Sequence, residues 1–150
     1  MNLQPKNEAD RQKLINKGLS LLSYRPRSIN EIKLRLKRLK YATPALINQA
    51  VDYLLEIDLL DDQKFASWWV DQRSTHRPKG NVALKSELSR KGIDSSIIES
   101  VLLDSDQEQK LAKKILTSKK ITNQQKAYQY LFSRGFSSNS INTSIDELNL

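Results

Sequence analysis

Seven cations crowd into the sixteen residues from Arg25 to Lys40: Arg25, Arg27, Lys33, Arg35, Lys37, Arg38 and Lys40, against one acid, Glu31. A guanidinium fork pairs bidentately with phosphate or carboxylate, so such a segment suits a polyanionic partner. Charges this dense repel one another until a partner relieves them. Lys79, Arg90 and Lys91 lie at a related place further along, and Arg134 further still. These cations, Lys40 apart, make up the candidate binding face. A second basic stretch, Lys110, Lys113, Lys114, Lys119 and Lys120, is interleaved with Leu111, Ile115 and Leu116 and reads as a solvated lysine face.

Other chemistry is scarce. The chain has no Cys and a single His, His76, which removes disulfides, thiol nucleophiles and both Cys- and His-rich metal sites. His76 precedes Arg77-Pro78 and reads as a helix-end residue. Asp61 and Asp62 point about 100° apart if they begin a helix, a poor arrangement for sharing one ion, and read instead as cap residues. No carboxylate cluster suits the two metals of a nuclease. Gly18, Gly80, Gly92 and Gly135 never cluster into a phosphate loop, so neither a cofactor nor catalysis is expected. Trp69 shares an apolar stripe with Phe65, Ala66 and Val70 and is assigned to the core, with Trp68 partly exposed.

The elements that must carry these residues are helical. Apolar residues recur three and four apart, as in Leu14, Ile15, Leu19 and Leu22; in Ile29, Ile32, Leu36 and Leu39; and in Ile47, Val51, Leu54 and Leu55. Further stripes run through Leu84 and Leu88, Ile97 to Leu102, Leu111 to Leu116, Ala127 to Leu131, and Ile141 to Leu148, which makes about nine helices. Ser28-Ile-Asn-Glu31 has the form of a capping box, and Thr43-Pro44 that of a cap followed by proline in the first turn. Gly92 and Gly135 stand where helices should end in a left-handed residue, each before an apolar Ile93 or Phe136; Asp94 and Ser137 or Ser138 would cap the helices that follow. The first ten residues read as loose. No apolar run exceeds three residues and the start has no apolar signal region, so a cytoplasmic protein is expected. The formal charge of +8 agrees with an anionic partner.

The pattern repeats. At an offset of 43 residues Leu88, Gly92, Ile93, Ile98 and Leu102 match Leu131, Gly135, Phe136, Ile141 and Ile145. At 52 residues Pro26, Ile32 and Leu36 match Pro78, Leu84 and Leu88, and Thr43, Ile47 and Val51 match Asp94, Ile98 and Leu102 after one residue of slippage. The chain is therefore expected to be all-α: three tandem three-helix units, at 1–58 (diverged), 59–104 and 105–150, stacked into an elongated, curved array.

Several runs together carry a family resemblance: Leu22-Ser-Tyr-Arg25-Pro-Arg27-Ser28-Ile-Asn-Glu31-Ile32, Leu59-Leu-Asp61-Asp62-Gln-Lys-Phe65-Ala66, Trp69-Val70 with Arg73, then Gly80, Glu87-Leu88, Lys91-Gly92-Ile93 and Arg134-Gly135-Phe136. In order and spacing they resemble the bacterial RecX family, regulators of the recombinase RecA, over roughly residues 14 to 148. Lys40 and Asp58 depart from the resemblance, since family members carry Gly there, usually at the first position and often at the second. The resemblance implies a protein that binds along the groove of the RecA–single-stranded-DNA filament and limits its growth or activity; a monomer is expected. Composition and periodicity by themselves leave two other readings, a stand-alone nucleic-acid-binding module and a scaffold bridging two proteins.

Overall fold

A computed structural model describes residues 5–150, and every regular element among them is an α-helix. α1 (Pro5–Tyr24), α2 (Ile29–Leu36) and α3 (Pro44–Glu56) form a first set of three. α4 (Asp62–Thr75), α5 (Asn81–Arg90) and α6 (Ser95–Val101) form a second, and α7 (Ser105–Ser118), α8 (Gln124–Ser133) and α9 (Ser138–Glu147) a third. The expected sequence of tandem three-helix units is what forms. The helices gather into two compact units: residues up to Ala66 with Lys91–Ile93, and Ser67–Arg90 with Asp94–Leu150.

In the first compact unit α3 packs against α1 and α2. Leu14, Ile15, Leu21, Ile32, Leu36, Leu46, Ala50, Val51 and Leu54 are buried together. Burial corrects the sequence reading at α3. Ile47, Val51 and Leu54 are buried as the spacing predicts, joined by Leu46 and Ala50, whereas Leu55 is 37% exposed. Leu54 and Leu55 are about 100° apart on the helix, so one face cannot bury both. Leu54→Ala should cost about 3 kcal/mol, and Leu55→Ala less than about 1 kcal/mol, as read from urea midpoints at constant slope. The amino-terminal segment also differs from expectation. Residues 5–10 already belong to α1, with Pro5 at its first position and Glu8 in its first turn, and Asp10 is buried next to Lys13. Both first-turn features favour a helix start. The part of that expectation that fell on residues 1–4 lies outside the described residues.

In the second compact unit α9 packs on α7 and α8 around Ala112, Leu116, Ala127, Leu131, Phe136, Ile141 and Ile145. The caps follow the expected chemistry. Ser28 and Glu31 close a full capping box, and Thr43 accepts the Leu46 N–H with Pro44 at the first helical position. Ser137 accepts the Ser140 N–H, while Asp94 occupies the cap position without bonding a backbone N–H and instead accepts the Ser96 hydroxyl. Gly92 and Gly135 are left-handed (φ +76° and +80°), and so is Asp58 (φ +59°), where the short polar side chain tolerates what glycine would. The turn around Lys40 is built without any left-handed residue, from bonds of the Leu39 N–H to Leu36 O and the Ala42 N–H to Leu39 O.

The sequence repeat reappears as one joint made twice, once inside each compact unit. In the first, the Ile29 N–H opening α2 donates to Asp62 Oδ1 at 2.9 Å, and the Ser28 hydroxyl donates to Lys91 O at 2.7 Å. In the second, the Asn81 N–H opening α5 donates to Glu108 Oε2 at 2.6 Å, and the Gly80 N–H donates to Arg134 O at 3.0 Å. Ser28 and Gly80 are 52 residues apart, and Lys91 and Arg134 are 43 apart, the two offsets of the repeat. A helix start is thus seated each time on a glycine turn, with a carboxylate taking an N–H that no residue of its own helix can satisfy.

Candidate functional site

The basic face is built on α2. Ile32 and Leu36 are fully buried, which turns Lys33, Lys37 and Arg38 outward, with Arg35 at the margin. Among the described residues, none of these four cations has an ion-pair partner. Leu34 lies on the same outward surface, more than half exposed.

The other candidates are largely committed inside the molecule. Arg25 Nη2 lies 2.6 Å from Glu31 Oε2, and Lys91 Nζ lies 3.2 Å from the same oxygen. Glu31 therefore joins two of the predicted cations while its Oε1 accepts the Ser28 N–H. Burial opposes ionisation of this carboxyl. The bonds from Arg25 and Ser28 and the charges of Arg25 and Lys91 outweigh it and hold Glu31 below the usual carboxylate range. Arg27 donates its Nε–H to Leu21 O at 3.0 Å. Burial, and then the charges of Arg25 and Arg35, lower its affinity for the proton, with Glu31 working the other way. Lys79 pairs with Glu87 at 3.1 Å. Arg134 donates to Arg77 O at 2.6 Å and Pro78 O at 3.2 Å, and Arg90 is exposed and donates to Ser86 Oγ.

Two assignments change. Trp69 is half-buried in a polar cluster: its Nε1–H donates to Glu87 Oε1, and the Arg73 guanidinium, itself bonded to Glu87, stands 4.8 Å from its ring centre. An indole carries both an apolar body and a donor, so a place at the core's edge satisfies more of it than the core would. Asp61 caps its own helix by accepting the Lys64 N–H, but Asp62 serves α2 through Ile29. Burial, and the Asp61 charge after it, raise the Asp62 carboxyl above its ordinary value against the pull of the Ile29 N–H. Sequence spacing concealed Glu31 and Glu87 as hubs, because Lys91 is 60 residues from Glu31 and Lys79 is eight from Glu87.

Among the described residues, no three His, Cys, Asp or Glu side chains are placed to hold a metal, and no helix is long and apolar enough to cross a membrane. In the second basic stretch Lys113 is paired with Glu147, while Lys110, Lys114, Lys119 and Lys120 are exposed.

A family model described as the second three-helix domain of RecX matches residues 61–102. A Regulatory protein RecX from Chlorobium phaeobacteroides (strain BS1) is 33% identical over 147 residues, 94% of this chain and 97% of that protein. The chain belongs to the RecX family. Another RecX, from Mycobacterium sp. (strain JLS), is 40% identical over 88 residues, and the match spans 48% of its length. The crystal structure of RecX from Lactobacillus salivarius superposes with a TM-score of 0.79 at 30% identity, covering 95% of this chain and 98% of that one. These RecX relatives are named as regulatory proteins, and the all-helical architecture is shared with a solved RecX structure.

Proposed function

We propose that the chain binds the RecA filament assembled on single-stranded DNA and restrains its recombinase and ATPase activity, acting as a cytoplasmic monomer. RecA comes from the family resemblance. The observation that carries the choice of surface is the outward face of α2, where Lys33, Arg35, Lys37 and Arg38 have no carboxylate partner among the described residues. Unpaired cations on a short, well-capped helix present fixed positive charge to phosphate or to acidic side chains. Arg25, Arg27 and Lys91 brace the first compact unit through internal bonds, Lys79 and Arg134 brace the second, and the exposed Arg90 is a further candidate contact on the second. The three units 1–58, 59–104 and 105–150 would offer repeated binding elements to a repeating partner.

The test is RecA ATP hydrolysis on single-stranded DNA, titrated with the wild-type chain and with a Lys33→Glu, Lys37→Glu, Arg38→Glu variant. The wild type should inhibit, and the variant should need at least about tenfold more protein for the same inhibition. Equal inhibition by both would remove the α2 face from the reading. No inhibition by the wild type would remove RecA. Reversing Arg25 or Arg27 is unsuitable for this purpose, because each holds internal bonds whose loss would disturb the fold.

A further inference from the structure

Within the second compact unit, the end of α4, the loop that follows it, α7 and α8 enclose a cleft of about 630 Å³. Four cations line it, Arg77, Lys114, Lys119 and Arg134, and no Asp or Glu does. The contrast with Glu31 and Glu87, each of which gathers an Arg and a Lys, is chemical. Among the described residues the Arg134 guanidinium donates only to neutral carbonyl oxygens, and the Lys119 ammonium stands 5.4 Å from the centre of the Tyr130 ring. Lys119 and Arg134 are the C-cap residues of α7 and α8. A helix end there contributes roughly half a negative charge, enough to steady a cation but not to cancel four. The cleft therefore stays strongly positive. Its wall is not purely ionic: Leu111, Ile115 and Tyr130 give it an apolar and aromatic side.

We propose that this cleft binds one nucleotide of single-stranded nucleic acid, with the phosphate on Lys114, Lys119 and Arg77 and the base against Tyr130. The size falls within the range of pockets that take a ligand of that order, about 300–1,000 Å³. An isolated anion would use the cations alone and leave the aromatic wall unused. A nucleotide uses both, because every base offers a π-face and every link a phosphate. On binding, Lys119 would leave the Tyr130 ring for the phosphate and free that face for the base. The site is separate from the α2 face, so the RecA reading above would stand if this one failed.

The experiment uses the full chain and a fluorescein-labelled oligothymidylate of about fifteen nucleotides, followed by anisotropy between about 50 and 200 mM salt. Lys114→Gln with Lys119→Gln should lower affinity about tenfold and reduce the salt slope by up to roughly 0.7 log units, the one single-strand phosphate contact of the site. Both side chains are exposed, so the thermal unfolding of this variant should match the wild type. Irradiation of a 5-bromodeoxyuridine version of the oligonucleotide should place the cross-link on Tyr130. Absence of wild-type binding, a double variant within about twofold of wild type, or an equal loss from Lys33→Gln with Lys37→Gln would each overturn the proposal.

Discussion

Gly135→Ala should lower stability by about 3–4 kcal/mol and the melting temperature by roughly 10 °C. Two costs add at this position. The backbone is left-handed (φ +80°), which costs an alanine about 1–2 kcal/mol. The new Cβ would stand 2.3 Å from Ala83 Cβ and 2.6 Å from Ala83 N, at the start of α5, and neither atom can swing aside. Relieving that overlap means lifting α5 off the turn, which weakens the Val82 N–H bond to Gly135 O at 2.9 Å. Gly80→Ala strikes the same joint from the other side, since its Cβ would approach Phe136 Cα to 2.4 Å. The two single variants should therefore be non-additive, each opening the joint that the other also opens. Chemical denaturation of both singles and the double would measure this. A Gly135→Ala protein as stable as wild type would mean that the joint does not hold α5 in place.

That joint shows how far the sequence could be read. Its parts were visible one by one: the left-handed glycines from their place after Leu88 and Leu131, the helix starts from Ser28 and Thr43-Pro44, the repeat from offsets of 43 and 52 residues. Each of those signals is local, or compares two local windows. What joins Ser28 to Lys91, or Asn81 to Glu108, is a tertiary hydrogen bond across 63 or 27 residues, and periodicity carries no information about it. The candidate site divides along the same line. Charge density found the α2 face, because helical spacing alone decides that Ile32 and Leu36 go in and Lys33 and Lys37 go out. It also counted Arg25 and Lys91 as surface cations, since a sequence shows which charges exist but not which are already paired. The cleft cations are visible to it only singly: Arg134 as part of the binding face, Lys114 and Lys119 in a stretch that reads as a solvated lysine face, and Arg77 as a neighbour of His76, from three separate segments whose meeting no local charge count shows.

Glu31→Gln should cost about 2 kcal/mol at neutral pH, with the difference from wild type vanishing as the solution is acidified. Glu31 is held below its ordinary value near 4.5 in the folded chain. The unfolded chain therefore binds this proton first. The stabilisation from the Arg25–Glu31–Lys91 cluster is fully present above pH 4.5 and is lost as pH falls through the lower, folded value. Asp62 has the opposite sign. Its folded value is raised above 3.8, so its ionisation opposes folding, and that effect grows as pH rises from 3.8 through the folded value. Asn keeps an oxygen for the Ile29 N–H, so Asp62→Asn should make the protein slightly more stable than wild type at neutral pH, with that margin shrinking to nothing as pH falls below 3.8. Urea midpoints from pH 7 down to about pH 3 separate the two, because the variants must converge on wild type from opposite sides. A Glu31→Gln deficit that stays constant over that range would show that the amide fails for its geometry, with the charge of Glu31 contributing nothing to the fold.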